Sequence, residues 1–164
     1  MSRIKVFCFG FGQVAKYFVR KIIKENKSIE LNISSRQKTH PSKFEGLDLN
    51  SYELNDNKIY KNITSKIQDA DYILVSIPPV NDEDIVVKNF KETIKKTNLK
   101  WITYLSATSV YGNHNGAWVN ENSETKPSSA NGIKRLKAEN QWLKFSNENN
   151  LPLQIFRLSG IYSA

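Results

Sequence analysis

Apolar and polar positions fall into blocks along this chain, and the blocks switch between two periods. Ile4, Val6, Phe7, Cys8 and Phe9 form an apolar run that stops at Gly10 and reads as a buried strand. Val14/Ala15, Phe18/Val19 and Ile22/Ile23 then recur every four residues, the spacing of one helix face. Ile29 to Ser34 is a short second strand. Ser35 to Asn57 is polar and irregular, broken at His40-Pro41-Ser42, with a third strand expected near Asn50 to Leu54. Ile63 and Ile67 mark a short helix. Asp71 to Ile77 is a strongly apolar fourth strand, stopped by Pro78-Pro79. Val86, Phe90 and Ile94 give the buried face of a helix expected from Asp82 to Thr97. Trp101 to Ser106 is strand five, and a loop rich in Gly, Asn and Ser runs on to Asn131. The following helix is expected to turn Ile133, Leu136, Trp142 and Leu143 inward, and Leu153 to Leu158 is strand six.

Strand and helix signals thus alternate, which predicts an α/β fold: a Rossmann-type doubly wound parallel sheet of about six strands with helices on both faces. The 164 residues fit one domain with a real core and show no internal repeat or dividing linker. Ligands of such sheets bind beyond the carboxyl ends of the strands, beside strand one. The segments expected to face a ligand are Gly10 to Val14, Ser34 to Arg36, Ser76 to Pro79 and Ser106 to Gly112.

The first of these carries a pattern. Gly10-Phe11-Gly12-Gln13-Val14-Ala15 is Gly-x-Gly-x-x-Ala between a strand and a helix, the context of a dinucleotide-binding turn. Gly10 permits the tight turn, Gly12 lets a pyrophosphate approach the backbone, and Ala15 lets helix and strand pack closely. The helix N-terminus offers free N–H groups and partial positive charge. A purely structural glycine turn is the competing reading. At the end of strand two, an acid would select NAD through the ribose hydroxyls. Ser34-Ser35-Arg36 stands there instead, and a guanidinium beside two hydroxyls suits the 2′-phosphate of NADP. NADP is therefore the expected cofactor, with NAD the alternative and a solvated loop arginine the bland reading of Arg36. Ser35, Arg36, Ser76, Ile77, Pro78 and Ser106 join Gly10 to Val14 as candidate cofactor contacts.

Composition narrows the class. No apolar run approaches the roughly 18 residues of a membrane helix, and no signal segment precedes the first strand, so a cytoplasmic protein is expected. Cys8 is the single cysteine, which excludes an internal disulfide and reads as a buried, inert thiol. The net charge of +8 invites a nucleic-acid reading. The lysines are scattered (Lys21, Lys24, Lys27; Lys88, Lys91, Lys95, Lys96) without stacking aromatics, so a solvated basic surface is preferred. His40 and His114 sit in polar loops without an evident partner, and no spacing suggests a metal site.

Tyr104-Leu105-Ser106-Ala107-Thr108-Ser109-Val110-Tyr111-Gly112 resembles the strand-five active-site segment of the short-chain dehydrogenase/reductase superfamily, in its extended epimerase/dehydratase branch. Glu121, Pro127, Gly132, Ala138-Glu139 and Phe156-Arg157-Leu158-Ser159-Gly160-Ile161-Tyr162 fit the same branch. Ser76 to Pro79, Gly116 to Glu121 and Gln141 to Leu143 are similar to an atypical bacterial subgroup of NAD(P)-dependent epimerase-like proteins. The resemblance covers essentially the whole chain. It implies an NAD(P) cofactor and catalysis by a Ser or Thr, a Tyr, and a Lys four residues after the Tyr. It transfers no substrate, and a sugar-nucleotide-like one is the expectation for the complete protein. A neighbouring ammonium would lower such a phenol so that it can exchange a proton with substrate.

At the matching positions this chain departs from the pattern. The Ser/Thr position is Ala107, the Tyr position is Asn131 and the Lys position is Arg135. An amide does not titrate, and Arg135 stays protonated, though it could hold the cofactor ribose. The Asp-Glu pair of dehydratases maps to Thr108 and Ser109. Thr108, Ser109 and Tyr111 remain as candidate replacement catalytic groups, although a tyrosine at the position of Tyr111 belongs to the family framework. Glu139 reads as a surface carboxylate or core-edge salt bridge. The family continues beyond Gly-Ile-Tyr into a substrate lobe where this sequence ends, so a truncated gene, fragment or domain is expected, with the apolar edge of strand six favouring homo-oligomers. A non-catalytic NADP-binding sensor or scaffold is the alternative to an oxidoreductase or epimerase.

Overall fold

A computed structural model describes residues 3–25, 28–36, 42–54, 61–80 and 82–162. His40 and Pro41 of the expected breaker lie outside them. The elements are β1 (Ile4–Phe9), α1 (Gln13–Lys24), β2 (Ile29–Ser35), β3 (Lys43–Phe44), β4 (Leu47–Glu53), α2 (Lys61–Gln68), β5 (Tyr72–Val75), α3 (Ile85–Ile94), β6 (Trp101–Ala107), α4 (Ala130–Asn149) and β7 (Leu153–Leu158). A single 3-10 turn at Thr108–Val110 follows β6.

These strands form one seven-stranded sheet in the order β3-β4-β2-β1-β5-β6-β7. Every pairing is parallel except β3 with β4. Six strands thus follow the doubly wound order expected, with chain reversal on either side of β1. β3 is a seventh, unforeseen strand, only two residues long and joined to β4 by Glu45 and Gly46, both at positive φ (50° and 78°). β4 also starts at Leu47, earlier than the sequence suggested.

The continuous apolar run of β1 has a two-sided cause. Phe7 and Phe9 join a core with Ile73, Val75, Ile102 and Tyr104, covered by Ile63 and Ile67 of α2, Phe90 of α3 and Trp142 of α4. Val6 and Cys8 point into the opposite core, under Ala15 and Val19 of α1. A central strand buried on both faces cannot show period-two alternation.

Two helix expectations need correction. α3 begins at Ile85 and not Asp82, because Asp82 takes a left-handed φ of 67° and Asp84 caps the helix. The Asp84 Oδ1 accepts from Val86 N–H (2.9 Å) and Val87 N–H (3.0 Å). On α4 the buried stripe is Gly132, Ala138, Glu139, Trp142, Phe145 and Ser146. Ile133 and Leu143 are 40% and 44% exposed, not inward. Each sits one residue past a buried position, about 100° around the helix.

Asp84 is buried, and Gln141 of α4 accepts from its N–H at 2.9 Å. Burial raises the Asp84 carboxyl above the ordinary aspartate range, against the opposing hydrogen bonds from the Val87 and Val86 N–H groups. The folded state then holds this proton to a higher pH than the unfolded chain does, so stability falls as pH rises through the window between the two values. Asp84→Asn should flatten that part of the pH–stability curve. Urea titrations at several pH values above the normal aspartate pKa check it, and a wild-type curve parallel to the variant's would contradict it.

Candidate functional site

The carboxyl ends of β1, β2, β5 and β6 lie side by side. Phe9 is in register with Ser34 and with Val75, and Val75 with Tyr104. Gly10, Ser35, Ser76 and Ser106, each near a strand end, therefore meet along one rim. Gly10 has φ +84°, and its N–H reaches both the carbonyl (3.1 Å) and the hydroxyl (3.3 Å) of Ser34. A Cβ at Gly10 would stand 2.7 Å from Ile77 Cγ2 and 2.8 Å from Ser76 Oγ, so the turn is closed to any larger residue. The Ser76 hydroxyl is held in turn by the Phe9 carbonyl at 3.1 Å.

Gly12 is the opposite case. It is the N-cap of α1 with extended φ −80° and ψ −170°, and among the described residues nothing lies within 4 Å of where its Cβ would be. Among the described residues no side chain caps α1, and no acid occupies its first turn. The first-turn N–H groups of a helix lack intrahelical acceptors, so this end presents donors and positive potential to open space. That is the chemistry a pyrophosphate needs, and these residues fit it.

Around this turn the other predicted contacts divide. Ser35 closes β2 and Arg36 follows it, exposed, on the side of β1 away from β5. Ile77 is half-buried against Gly10, and Pro78 is exposed. Ser106 is buried with no hydrogen-bond partner for its hydroxyl among the described residues. Arg135 is committed to the protein: its Nη1 donates to the Leu105 carbonyl at 2.7 Å and lies 3.4 Å from the Tyr104 hydroxyl. Burial pushes the Tyr104 phenol up to about 12, which removes it as a proton relay near neutral pH.

Thr108 and Ser109 are exposed on the turn after β6, Ala107 is half-buried, and Asn131 is exposed on the first turn of α4. Tyr111 is buried, with the Arg157 guanidinium 4.8 Å from its ring centroid. His114, expected to lack a partner, has Nε2 3.1 Å from the Glu124 carbonyl and its ring against Tyr111.

Of the two expectations for Glu139, the core-edge salt bridge holds, and its partner is Arg157, which the sequence did not single out. The carboxylate is buried and takes Nε (3.1 Å) and Nη2 (2.8 Å) in a two-pronged contact from α4 to β7. The Glu139 hydrogen bond raises the Arg157 pKa further. The pair lines a groove of about 650 Å³ between α4 and β7, with Tyr111, Leu143, Ile155 and Phe156. A signal existed: Glu139 falls within the inward stripe of α4. Among the described residues no helix is long and apolar enough to cross a membrane, and no cluster could hold a metal ion.

No protein-family model and no curated protein matches the sequence. Solved structures do. A functionally unknown conserved protein from Silicibacter pomeroyi DSS is 29% identical with a TM-score of 0.76, over 96% of this chain and 52% of that one. UDP-glucuronic acid 4-epimerase from Bacillus cereus, solved with NAD, has a TM-score of 0.77 at 19% identity, over 97% and 57%. UDP-N-acetylglucosamine 4-epimerase from Bacillus cereus gives 0.71 at 17% identity, over 94% and 53%. The chain has the epimerase fold. This chain spans a little over half the length of each of these structures.

Proposed function

We propose that residues 1–164 form the dinucleotide-binding part of an epimerase-like short-chain dehydrogenase/reductase that takes NADP in preference to NAD. The observation that carries the reading is the open, uncapped N-terminus of α1 behind the closed Gly10 turn. In this reading the N–H groups of Gln13 and Val14 hold the pyrophosphate, Arg36 and Ser35 take the 2′-phosphate, and Ser76, Ile77, Pro78 and Ser106 border the nicotinamide side. The bound dinucleotide would supply hydride transfer. Thr108, Ser109 and Tyr111 are the hydroxyls on the rim that could orient a sugar-nucleotide-like substrate, in a protein that also contains a substrate lobe. Self-association through the β7 edge, where Phe156 is 51% exposed, belongs to the same proposal.

Calorimetry with NADP and NAD tests the cofactor. A charge-assisted contact is worth about 1.5–3 kcal/mol, so NADP should bind at least roughly tenfold tighter than NAD. Arg36→Ala should erase that difference. Tighter binding of NAD would overturn the preference, and binding of neither would overturn the site.

A non-catalytic sensor or scaffold is the second reading, favoured by Ala107, Asn131 and the engagement of Arg135 with Leu105. Cofactor binding without turnover of any sugar nucleotide, in a form carrying a substrate lobe, would select it.

A further inference from the structure

The unforeseen β3–β4 hairpin reaches back to the glycine turn. Phe44, the last residue of β3, sets its ring against Phe11 with centroids 5.0 Å apart and planes at 83°. Phe11 is the residue between Gly10 and Gly12, where the binding pattern itself requires nothing in particular. Its backbone is part of the surface that would meet the phosphates.

The hairpin is tied down from its other side by α1. The Arg20 guanidinium lies 5.2 Å from the centroid of the Phe44 ring, and its Nε donates to Glu45 at 2.7 Å. Glu45 sits at φ 50°, a region uncommon for a residue with a side chain. A glycine or asparagine would be the ordinary choice at that corner. The ion pair gives a reason for a glutamate there: its carboxylate is the anchor that α1 grips. Phe11, Phe44, Glu45 and Arg20 therefore form one chain of contacts, running from the phosphate turn across the hairpin to the third turn of the helix behind it.

Position assigns the side of the site. In the sheet order the hairpin lies on the β2 and β4 side of β1, as does Arg36 at the end of β2. In doubly wound folds that side receives the adenosine ribose. We infer that the β3–β4 hairpin is a brace for the adenosine half of the dinucleotide site, with Phe44 a positioning residue that holds the Gly10–Gly12 turn ready for phosphate through Phe11. The inference rests on the dinucleotide reading above and adds a part to it. Holding the turn in its binding shape before the ligand arrives reduces the ordering cost of binding.

Two readouts on the full chain test it. Calorimetry with ADP-ribose should show about tenfold weaker binding for Phe44→Ala, the scale of an aromatic contact. Phe44→Tyr should restore it. Arg20→Ala, at a half-exposed position outside the core, should weaken binding by a few-fold, the scale of an exposed pair, and covers the case in which Phe44→Ala fails to fold. Amide hydrogen exchange of the ligand-free protein should show Phe11 and Gly12 exchanging faster in both Ala variants, with β6 and β7 unchanged. Wild type that binds ADP-ribose, with variants that bind it equally well, overturns the brace. If wild type binds NADP but not ADP-ribose, NADP serves as the probe for the same variants. Wild type that binds neither overturns the dinucleotide reading, and exchange then decides the brace alone: unchanged turn amides overturn it, faster ones support it.

Discussion

Gly12→Asp should abolish dinucleotide binding while leaving the protein as stable as before, or more so. Among the described residues the space around a Gly12 Cβ is empty, and its extended backbone is open to any residue. Aspartate is among the preferred N-cap residues, so its carboxylate should satisfy α1 N–H groups and, relative to glycine, add about a few tenths of a kcal/mol of stability. The same carboxylate then occupies the donors and the positive end of the helix, and it repels a pyrophosphate. Losing two charge-assisted hydrogen bonds alone costs about 3 kcal/mol, a drop of more than roughly a hundredfold in affinity. Gly10→Ala is the contrasting control. At φ +84°, with Ile77 Cγ2 2.7 Å from the new Cβ, it should cost about 1–3 kcal/mol of stability. Thermal unfolding and calorimetry on the two variants check both halves. If Gly12→Asp binds NADP like wild type, the glycine turn is structural and the assigned ligand is wrong.

The largest expected loss of stability is at Glu139→Ala. Removing the carboxylate strands the Arg157 guanidinium, whose side chain is only 20% exposed, between α4 and β7. Breaking a buried pair from one side costs about 3–5 kcal/mol. Partial access of Arg157 to solvent places this case at the low end, about 3 kcal/mol. The pair itself is not a large net stabiliser, since desolvation offsets its attraction. Glu139→Leu combined with Arg157→Leu should therefore recover most of the loss. Urea unfolding of the single and double variants measures this, and a single-variant loss under about 1 kcal/mol would show that water reaches the guanidinium freely.

These two residues also show what could be read before the fold was known. Gly12 could be placed because its meaning is local: a strand, a short turn and a helix follow one another in the chain. Asp84 was visible only as a polar residue before an apolar helix face, and its capping geometry moved the start of α3 by three residues. β3 escaped because two residues carry no period, and its pairing rests on a turn whose first corner is a glutamate. Ile133 and Leu143 were misplaced because apolar character alone does not separate neighbouring positions on a helix with a narrow buried stripe. Glu139 and Arg157 lie 18 residues apart in different elements, and no local pattern links them.

By itself the sequence determined the parallel α/β sheet, the glycine turn after its first strand, and the chemical identity of the rim: Ala107, Asn131 and Arg135, with Arg36 at the end of β2. Those follow from side-chain chemistry and from periods within single elements. Tertiary structure alone decided that the N-terminus of α1 stands open, that Arg135 is held by Leu105, that Glu139 grips Arg157, and that Phe44 reaches Phe11. Each depends on where segments distant in the chain come to rest against one another, and packing sets those contacts.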